Sequence, residues 1–147
     1  FQIHGNIDFM RCSQECTHAL YPIPEFIPTS PVSKSFEDDQ LKQLRCPKCG
    51  SMARPHVLWF DESYNEEHFR FESSLRIAAE TDVLLVVGTS GATTLPNHVV
   101  HTVIRNQGLV IDINIEENIF GEMARENGGY SLIGPSGSIL PAMVTAL

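Results

Sequence analysis

Two close pairs of cysteines, Cys12 with Cys16 and Cys46 with Cys49, flank a segment that has no other obvious means of holding a shape. Pro22, Pro24, Pro28 and Pro31 break regular structure there, and Ser30, Ser33 and Ser35 mark loop. Residues 12–56 supply no large apolar face, so a stretch of this kind needs a staple, and a metal ion is the natural one. Cys46-Pro47-Lys48-Cys49-Gly50 reads as a tight knuckle whose glycine suits the turn that lets two thiolates face one ion. Three residues separate Cys12 from Cys16, still a workable spacing. Four thiolates make a closed tetrahedral zinc site, structural in kind, with no position left for substrate. Two disulfides are the alternative, but the knuckle and the close pairs favour metal, and reduced cysteines point to a cytoplasmic setting. The chemistry must then lie elsewhere.

The chain has 147 residues, room for about one domain with a fair core; 42% of them are hydrophobic and 19% charged, a globular balance. The formal net charge is −8 and no block of Lys and Arg is present, which disfavours binding a nucleic-acid backbone. No apolar run approaches the ~20 residues of a membrane-spanning helix, and no basic-then-apolar leader opens the chain. Phe1-Gln2-Ile3-His4-Gly5 starts inside an apolar segment without Met, and reads as a piece of a longer protein.

The pattern predicts a short strand ending at His4-Gly5 and a second extended piece from Ile7 to Met10. One or two helical turns are expected over residues 38–44, and a compact apolar strand at Val57-Leu58-Trp59-Phe60, ended by Asp61-Glu62-Ser63. Residues 66–80 read as one helix, with Phe69, Leu75, Ile77, Ala78 and Ala79 on its apolar side. Val83-Leu84-Leu85-Val86-Val87 is apolar on both faces, as a central parallel strand would be. Pro96 opens a helix to about Asn106, with Val99, Val100, Val103 and Ile104 inward and Gly108 as its cap. Leu109-Val110-Ile111-Asp112-Ile113 is the next strand, residues 116–127 a helix broken by Gly128 and Gly129, Tyr130-Ser131-Leu132-Ile133 a last strand, and residues 141–147 a closing helix. Strand alternating with helix is α/β, a Rossmann-like, mostly parallel sheet with a small zinc-binding module inserted.

Open parallel sheets bind ligands beyond the carboxyl ends of their strands. Gly88-Thr89-Ser90, Asn114 and Gly134-Pro135-Ser136-Gly137 fall there. Thr89 and Ser90 offer hydroxyls and backbone N–H groups to a phosphate or ribose, and Asn114 can donate and accept, which fits a ribose diol. No full G-x-G-x-x-G is present, and a strand followed by Gly-Thr-Ser-Gly also reads as an ordinary βα turn. His4 is the histidine that adjoins a glycine at a strand end, and its imidazole can act as a general base, although a lone histidine is commonly structural. Trp59 and Phe60 fit either a core or a slot for an apolar side-chain stem. Asp61 and Glu62 lie where a peptide could add at a sheet edge. Hydrolase marks, a Gly-x-Ser-x-Gly elbow or a His-Glu-x-x-His pair, are missing.

Taken together, His4-Gly5, Cys12/Cys16, Cys46/Cys49, Arg54-Pro55-His56-Val57-Leu58-Trp59-Phe60-Asp61-Glu62, Gly88-Thr89-Ser90 and Ile113-Asn114 resemble the sirtuins, the Sir2 family of NAD-dependent protein deacylases. The likeness is to the carboxyl-terminal half of that family, and bacterial sirtuins look nearest. It implies that His4 is the general base toward a ribose hydroxyl of NAD and that Cys12, Cys16, Cys46 and Cys49 hold one structural zinc. It implies further that the Leu58 carbonyl accepts the acyl-lysine amide N–H, that Phe60 walls the lysine tunnel, and that Asp61 and Glu62 meet the peptide. Gly88, Thr89 and Ser90 would touch the dinucleotide, Asn114 its adenosine ribose and Ser136 the adenine side. The implied domains are residues 1–10 (the catalytic-loop strand of the NAD-binding domain), 11–56 (the zinc module) and 57–147 (the rest of the NAD-binding domain). The implied partners are an acyl-lysine protein or peptide and the amino-terminal half of the same protein. The sequence departs from the family in the wider first cysteine spacing, in Asp61 where the family has glycine, and in lacking the family's amino-terminal Gly-Ala-Gly and Gln-Asn-x-Asp segments. Two other functions remain open: a noncatalytic sensor of NAD or ADP-ribose, and a zinc-stapled protein-interaction module.

Overall fold

The computed structural model describes residues 1–27 and 35–146. Pro28, Ser30, Pro31 and Ser33, expected in loop, lie outside the described residues. The chain divides into two compact units, Phe1–Phe71 and Glu72–Leu147.

The first unit is built on a small antiparallel sheet. β1 (Gly5–Cys12) lies between β2 (Tyr21–Pro22) and β3 (Ala53–Val57). The expected pair of short extended pieces is therefore one strand that begins at Gly5, with His4 in the turn before it. β1 pairs with β3 from Gly5 opposite Val57 to Cys12 opposite Ala53, with an irregularity between Gly5 and Met10. A helix α1 (Asp38–Gln43) falls where residues 38–44 predicted one, and Glu37 and Gln40 close a reciprocal capping box at its start. The strand expected at residues 57–60 is displaced toward the amino terminus. β3 stops at Val57 because the following residues are drawn into a turn, with Glu62 N–H donating to the Trp59 carbonyl at 3.0 Å. The single helix expected over residues 66–80 is two, α2 (Glu66–Phe69) and α3 (Phe71–Ala79). Arg70 stands between them in the left-handed conformation, φ 54°, which no continuous helix admits. Among the described residues, the buried apolar side chains of this unit are Met10, Cys12, Cys46 and Phe69, and Arg11 and His56 are buried as well. That is too little apolar burial to hold a unit of this size, as the sequence implied.

The second unit carries the parallel sheet. β4 (Val83–Val87), β5 (Leu109–Asn114) and β6 (Tyr130–Ile133) pair in that order, all parallel, with Leu85 opposite Ile111 and Ile113 opposite Leu132. Between the strands run α4 (Thr94–Arg105) and α5 (Ile119–Glu126), and α6 (Ser136–Ala146) follows β6. Ala78, Val86, Val100, Val103, Val110, Phe120 and Ala124 form one buried cluster, with Val99 and Ile104 packed against it as the helical spacing predicted. Each of its valines and its phenylalanine contributes about 1.5–3 kcal/mol of burial, so this unit has the core that the first lacks. β4 and β6 are the edge strands of this sheet among the described residues, and Val83, Leu85 and Val87 stay exposed on β4. The expectation of a strand buried on both faces therefore holds for β5 better than for β4.

Helix ends differ in detail from the sequence reading. α4 starts at Thr94 with Pro96 inside its first turn, and Gln107 (φ 63°), not Gly108, takes the left-handed position after it. α5 starts at Ile119 because Asn118 caps it, accepting from the Phe120 and Gly121 N–H groups. α6 starts at Ser136 and carries Pro141 inside, so the closing helix is five residues longer at its amino end than expected. No helix among the described residues is long and apolar enough to cross a membrane.

Candidate functional site

The cysteines converge. All four sulfurs lie within 4.8 Å of one another, with Cys12 to Cys49 at 3.5 Å and Cys16 to Cys46 at 3.6 Å. Four thiolates at the ~2.3 Å of a zinc–sulfur bond form a tetrahedron with edges of roughly 3.8 Å, so the donor set fits that ion, and these gaps are far beyond the ~2.05 Å of a disulfide. Local backbone explains the geometry. The Cys46 N–H donates to the Ser51 carbonyl at 2.7 Å and Gly50 N–H to the Cys46 carbonyl at 2.9 Å, which folds the knuckle. Between Cys12 and Cys16 the extra residue is absorbed by a turn, with Glu15 N–H bonded to the Cys12 carbonyl at 3.2 Å and Glu15 itself left-handed, φ 50°. The knuckle also favours thiolate. Backbone N–H groups of Cys49 and Lys48 hold the Cys46 thiol below its usual value, and hydrogen bonds from Ser51 bring Cys49 down to about 6. Cys16, hydrogen-bonded to Cys49, is pushed up to about 12 and keeps the proton that a divalent cation would displace.

His4 is exposed at the head of β1 and is held at two points. Its carbonyl accepts the Leu58 N–H at 3.0 Å, and its Nε2 lies 2.8 Å from the Tyr64 hydroxyl. Gly5 makes the first of these possible. It has φ 71°, and a Cβ there would stand 1.9 Å from the His56 carbonyl oxygen. Gly5→Ala is therefore expected to cost more than about 2 kcal/mol through strain and displacement of β3. Thermal unfolding of the variant at equal zinc content measures it.

The segment after β3 is fastened by Arg54. Its guanidinium takes the Glu62 carboxylate on both nitrogens, reaches the Val57 carbonyl at 2.7 Å, and lies 3.8 Å from the centre of the Trp59 ring. Glu62 also accepts the Trp59 N–H at 3.0 Å and meets Arg11 at 3.5 Å. Of the residues expected to meet peptide, Glu62 thus has its carboxylate committed to the loop's own shape. Phe60 and Asp61 occupy the centre of the turn, exposed, with the Phe60 ring wholly in solvent. Asp61 avoids the left-handed region, so it takes this position in the turn without backbone strain. Leu58 spends its N–H on His4, and its carbonyl accepts no bond among the described residues.

Acid should loosen this unit in two stages. Burial and the Arg11 charge hold His56 and His68 below their ordinary value of 6.5, and Arg54 holds Glu62 at about 2 rather than 4.5. All three are depressed, so their contribution is present above the unfolded value and lost as pH falls. The histidine part goes first, below about 6.5, and the Glu62 part between 4.5 and about 2. Acid also releases thiolate-bound metal. The histidine part is therefore read as the difference between the parent and His56→Gln in unfolding free energy at pH 7.5 and 5.5, which should shrink at the lower pH.

In the second unit three loops meet at the carboxyl ends of the parallel strands, where the sequence placed Gly88, Thr89, Ser90, Asn114 and Ser136. The Gly88 N–H donates to the Ile113 carbonyl at 3.0 Å, Asn114 Nδ2 to the Thr89 carbonyl at 3.0 Å, and the Gly134 N–H to the Asn114 carbonyl at 2.8 Å. Asn114 Oδ1 accepts the Ile115 N–H at 2.8 Å, so its amide latches the loops and keeps one donor and one acceptor site free. Ser90 is exposed, Thr89 half-buried, and Ser136 opens α6. Gly91 has φ 74° and sits against Ile119 and Phe120, where a Cβ would come within 2.9 Å.

Several residues escaped the sequence reading. Tyr64 at His4 left no signal, being one polar aromatic in a loop. Arg54 had one, an arginine and a glutamate on either side of Trp59. Asp112 is fully buried in β5, burial raises its pKa, and it accepts from Asn118 at 2.8 Å. An acid inside an apolar strand was the visible clue.

The Sir2 family model matches residues 1–94. The chain is 34% identical over 149 residues to an NAD-dependent protein deacylase of Pyrococcus furiosus, covering 97% of this chain and 52% of that protein. It is 32% identical to one of Leptospira interrogans serogroup Icterohaemorrhagiae serovar Lai, covering 97% and 51%. Among solved structures, a Sir2 homologue in complex with NAD superposes with a TM-score of 0.75 at 25% identity, over 98% of this chain and 49% of that one. A mutant Sir2 homologue with ADP-ribose gives 0.72 at 27%, over 97% and 50%. The chain spans about half the length of the curated relatives it matches. With its motifs in family order and these matches across almost its whole length, the chain belongs to the Sir2 family.

Proposed function

We propose that this chain is the carboxyl-terminal half of an NAD-dependent protein-lysine deacylase, which moves the acyl group of an acyl-lysine onto ADP-ribose and releases nicotinamide. The observation that carries the reading is the 34% identity to a curated NAD-dependent protein deacylase over 97% of this chain. When bound, NAD supplies the anomeric carbon at which nicotinamide is replaced by the acyl oxygen of the substrate. His4 takes the proton of a ribose hydroxyl, leaving the electron pair on oxygen to attack the acyl carbon. The Leu58 carbonyl holds the lysine amide N–H, Phe60 and Trp59 enclose the apolar stem, and Asp61 lies beside the peptide, with Glu62 keeping the turn in shape. Gly88, Thr89 and Ser90 receive the dinucleotide, Asn114 its adenosine ribose and Ser136 the adenine side. Cys12, Cys16, Cys46 and Cys49 hold one structural zinc, which leaves the reaction to the organic groups. On this reading residues 11–56 are a zinc module set into an NAD-binding domain made of residues 1–10, 57–147 and an upstream half. A reduced thiolate site suits the cytoplasm.

The test is the complete protein with NAD and an acetyl-lysine peptide. Nicotinamide and acyl-ADP-ribose, seen by mass, support the reading. NAD bound without acyl transfer means a sensor instead, and protein binding without nucleotide means an interaction module. The 147-residue chain alone is expected to release no nicotinamide, because relatives devote twice this length to the task.

A further inference from the structure

The histidine that the proposed function makes the base does not stand alone. Its Nε2 lies 2.8 Å from the Tyr64 hydroxyl, with the rings 5.8 Å apart and tilted by 50°. Tyr64 is itself fixed: its ring stacks on Phe71 at 5.7 Å and 26°, and it follows the turn that Arg54 and Glu62 fasten. The Leu58 N–H grips the backbone of His4 from the same segment. One stretch of chain, residues 58–64, therefore holds the histidine at both main chain and ring.

A neutral imidazole has one N–H and one lone pair. If Tyr64 donated to Nε2, the lone pair would be spent and Nδ1 would carry the hydrogen, leaving no base. We propose that Tyr64 is the positioning residue of His4: the Nε2–H donates to the Tyr64 oxygen, which fixes the tautomer and leaves the Nδ1 lone pair as the proton acceptor. The proposal rests on the deacylase reading. In the step it serves, the hydroxyl O–H bond of the substrate breaks, an Nδ1–H bond forms, and the electron pair stays on oxygen. The imidazolium then donates from Nε2 to Tyr64 through a charge-assisted bond, stronger than the one in the neutral state, so the interaction favours the proton-accepting step itself. Burial pushes the Tyr64 phenol pKa up, which keeps it a neutral hydroxyl at working pH.

The test compares Tyr64→Phe with parent in the complete protein. Removing the acceptor is expected to lower kcat about tenfold and to leave KM for NAD within about twofold. Unchanged kcat, or a raised KM with kcat intact, overturns the proposal. A readout that needs no turnover is nitrogen NMR of the His4 ring. In the parent the neutral ring should be the Nε2–H tautomer, and in Tyr64→Phe that preference should be lost; an Nδ1–H tautomer in the parent overturns the proposal. If Tyr64→Phe does not fold, Tyr64→Gln keeps an acceptor and makes the same comparison. Retained activity at normal zinc content supports the proposal, and activity as low as that of His4→Ala overturns it. Full activity of His4→Ala would instead remove His4 as the base and overturn the proposal, whereas a parent protein that binds NAD but transfers no acyl group would bring down the deacylase reading and leave the NMR result standing on its own.

Discussion

Cys46→Ser should strip the protein of its metal and unfold the first unit. Cys46 is 1% exposed, its N–H closes the knuckle onto Ser51, and its sulfur is 3.6 Å from that of Cys16. Structural zinc sites contribute apparent binding energies of about 10–16 kcal/mol at neutral pH, and that energy is folding energy where no preformed site exists. The other buried apolar groups of the unit, Met10, Cys12 and Phe69, cannot replace it. Elemental analysis should give one zinc per parent chain and none in the variant. Limited proteolysis should cut the variant within residues 1–71 while the core of β4, β5 and their helices resists. Parent protein purified without zinc, with two disulfides by mass, would falsify the metal assignment.

His4→Ala in the complete protein should lower NAD-dependent deacylation by about 10²–10⁴-fold, the usual worth of a positioned general base. Its side chain is exposed and contributes little to packing, so zinc content and melting temperature should stay at the parent values. The loss should fall on kcat and kcat/KM alike, since the proton is taken in the transition state rather than on binding. Deacylation at the parent rate by this variant excludes His4 as the base.

The parallel strands were legible because a fully apolar run such as Leu109-Val110-Ile111 has few other homes, and Asn114 at its end was placed correctly at the carboxyl edge of the sheet. The convergence of the four cysteines was legible for a similar reason: thiol spacing constrains geometry more tightly than any propensity. What could not be read was set by contacts distant in sequence. β3 ends at Val57 and not at Phe60 because Arg54 captures Glu62 and the Trp59 N–H follows. The break at Arg70 depends on a left-handed residue that shows no glycine or asparagine. Tyr64 reaches His4 across 60 positions, a separation over which no periodicity speaks.

The position of the clip along β1 bears on how fast the chain can fold. Cys12 is the last residue of β1 and faces Ala53, so the chain must close a long loop before any β1–β3 bond repays the cost. For a flexible loop of some forty residues that cost is about 3 kcal/mol. A metal held at once by Cys12 and Cys46 brings the strand ends together in advance, leaving β1 and β3 to zip from the Cys12–Ala53 end toward Gly5 and Val57. With zinc in the proposed site, the ion would nucleate the sheet as well as staple it. The rate of refolding, and not only the final stability, should rise with free zinc until the site saturates, and His4, at the far end of the zipper, is among the last residues to be set in place.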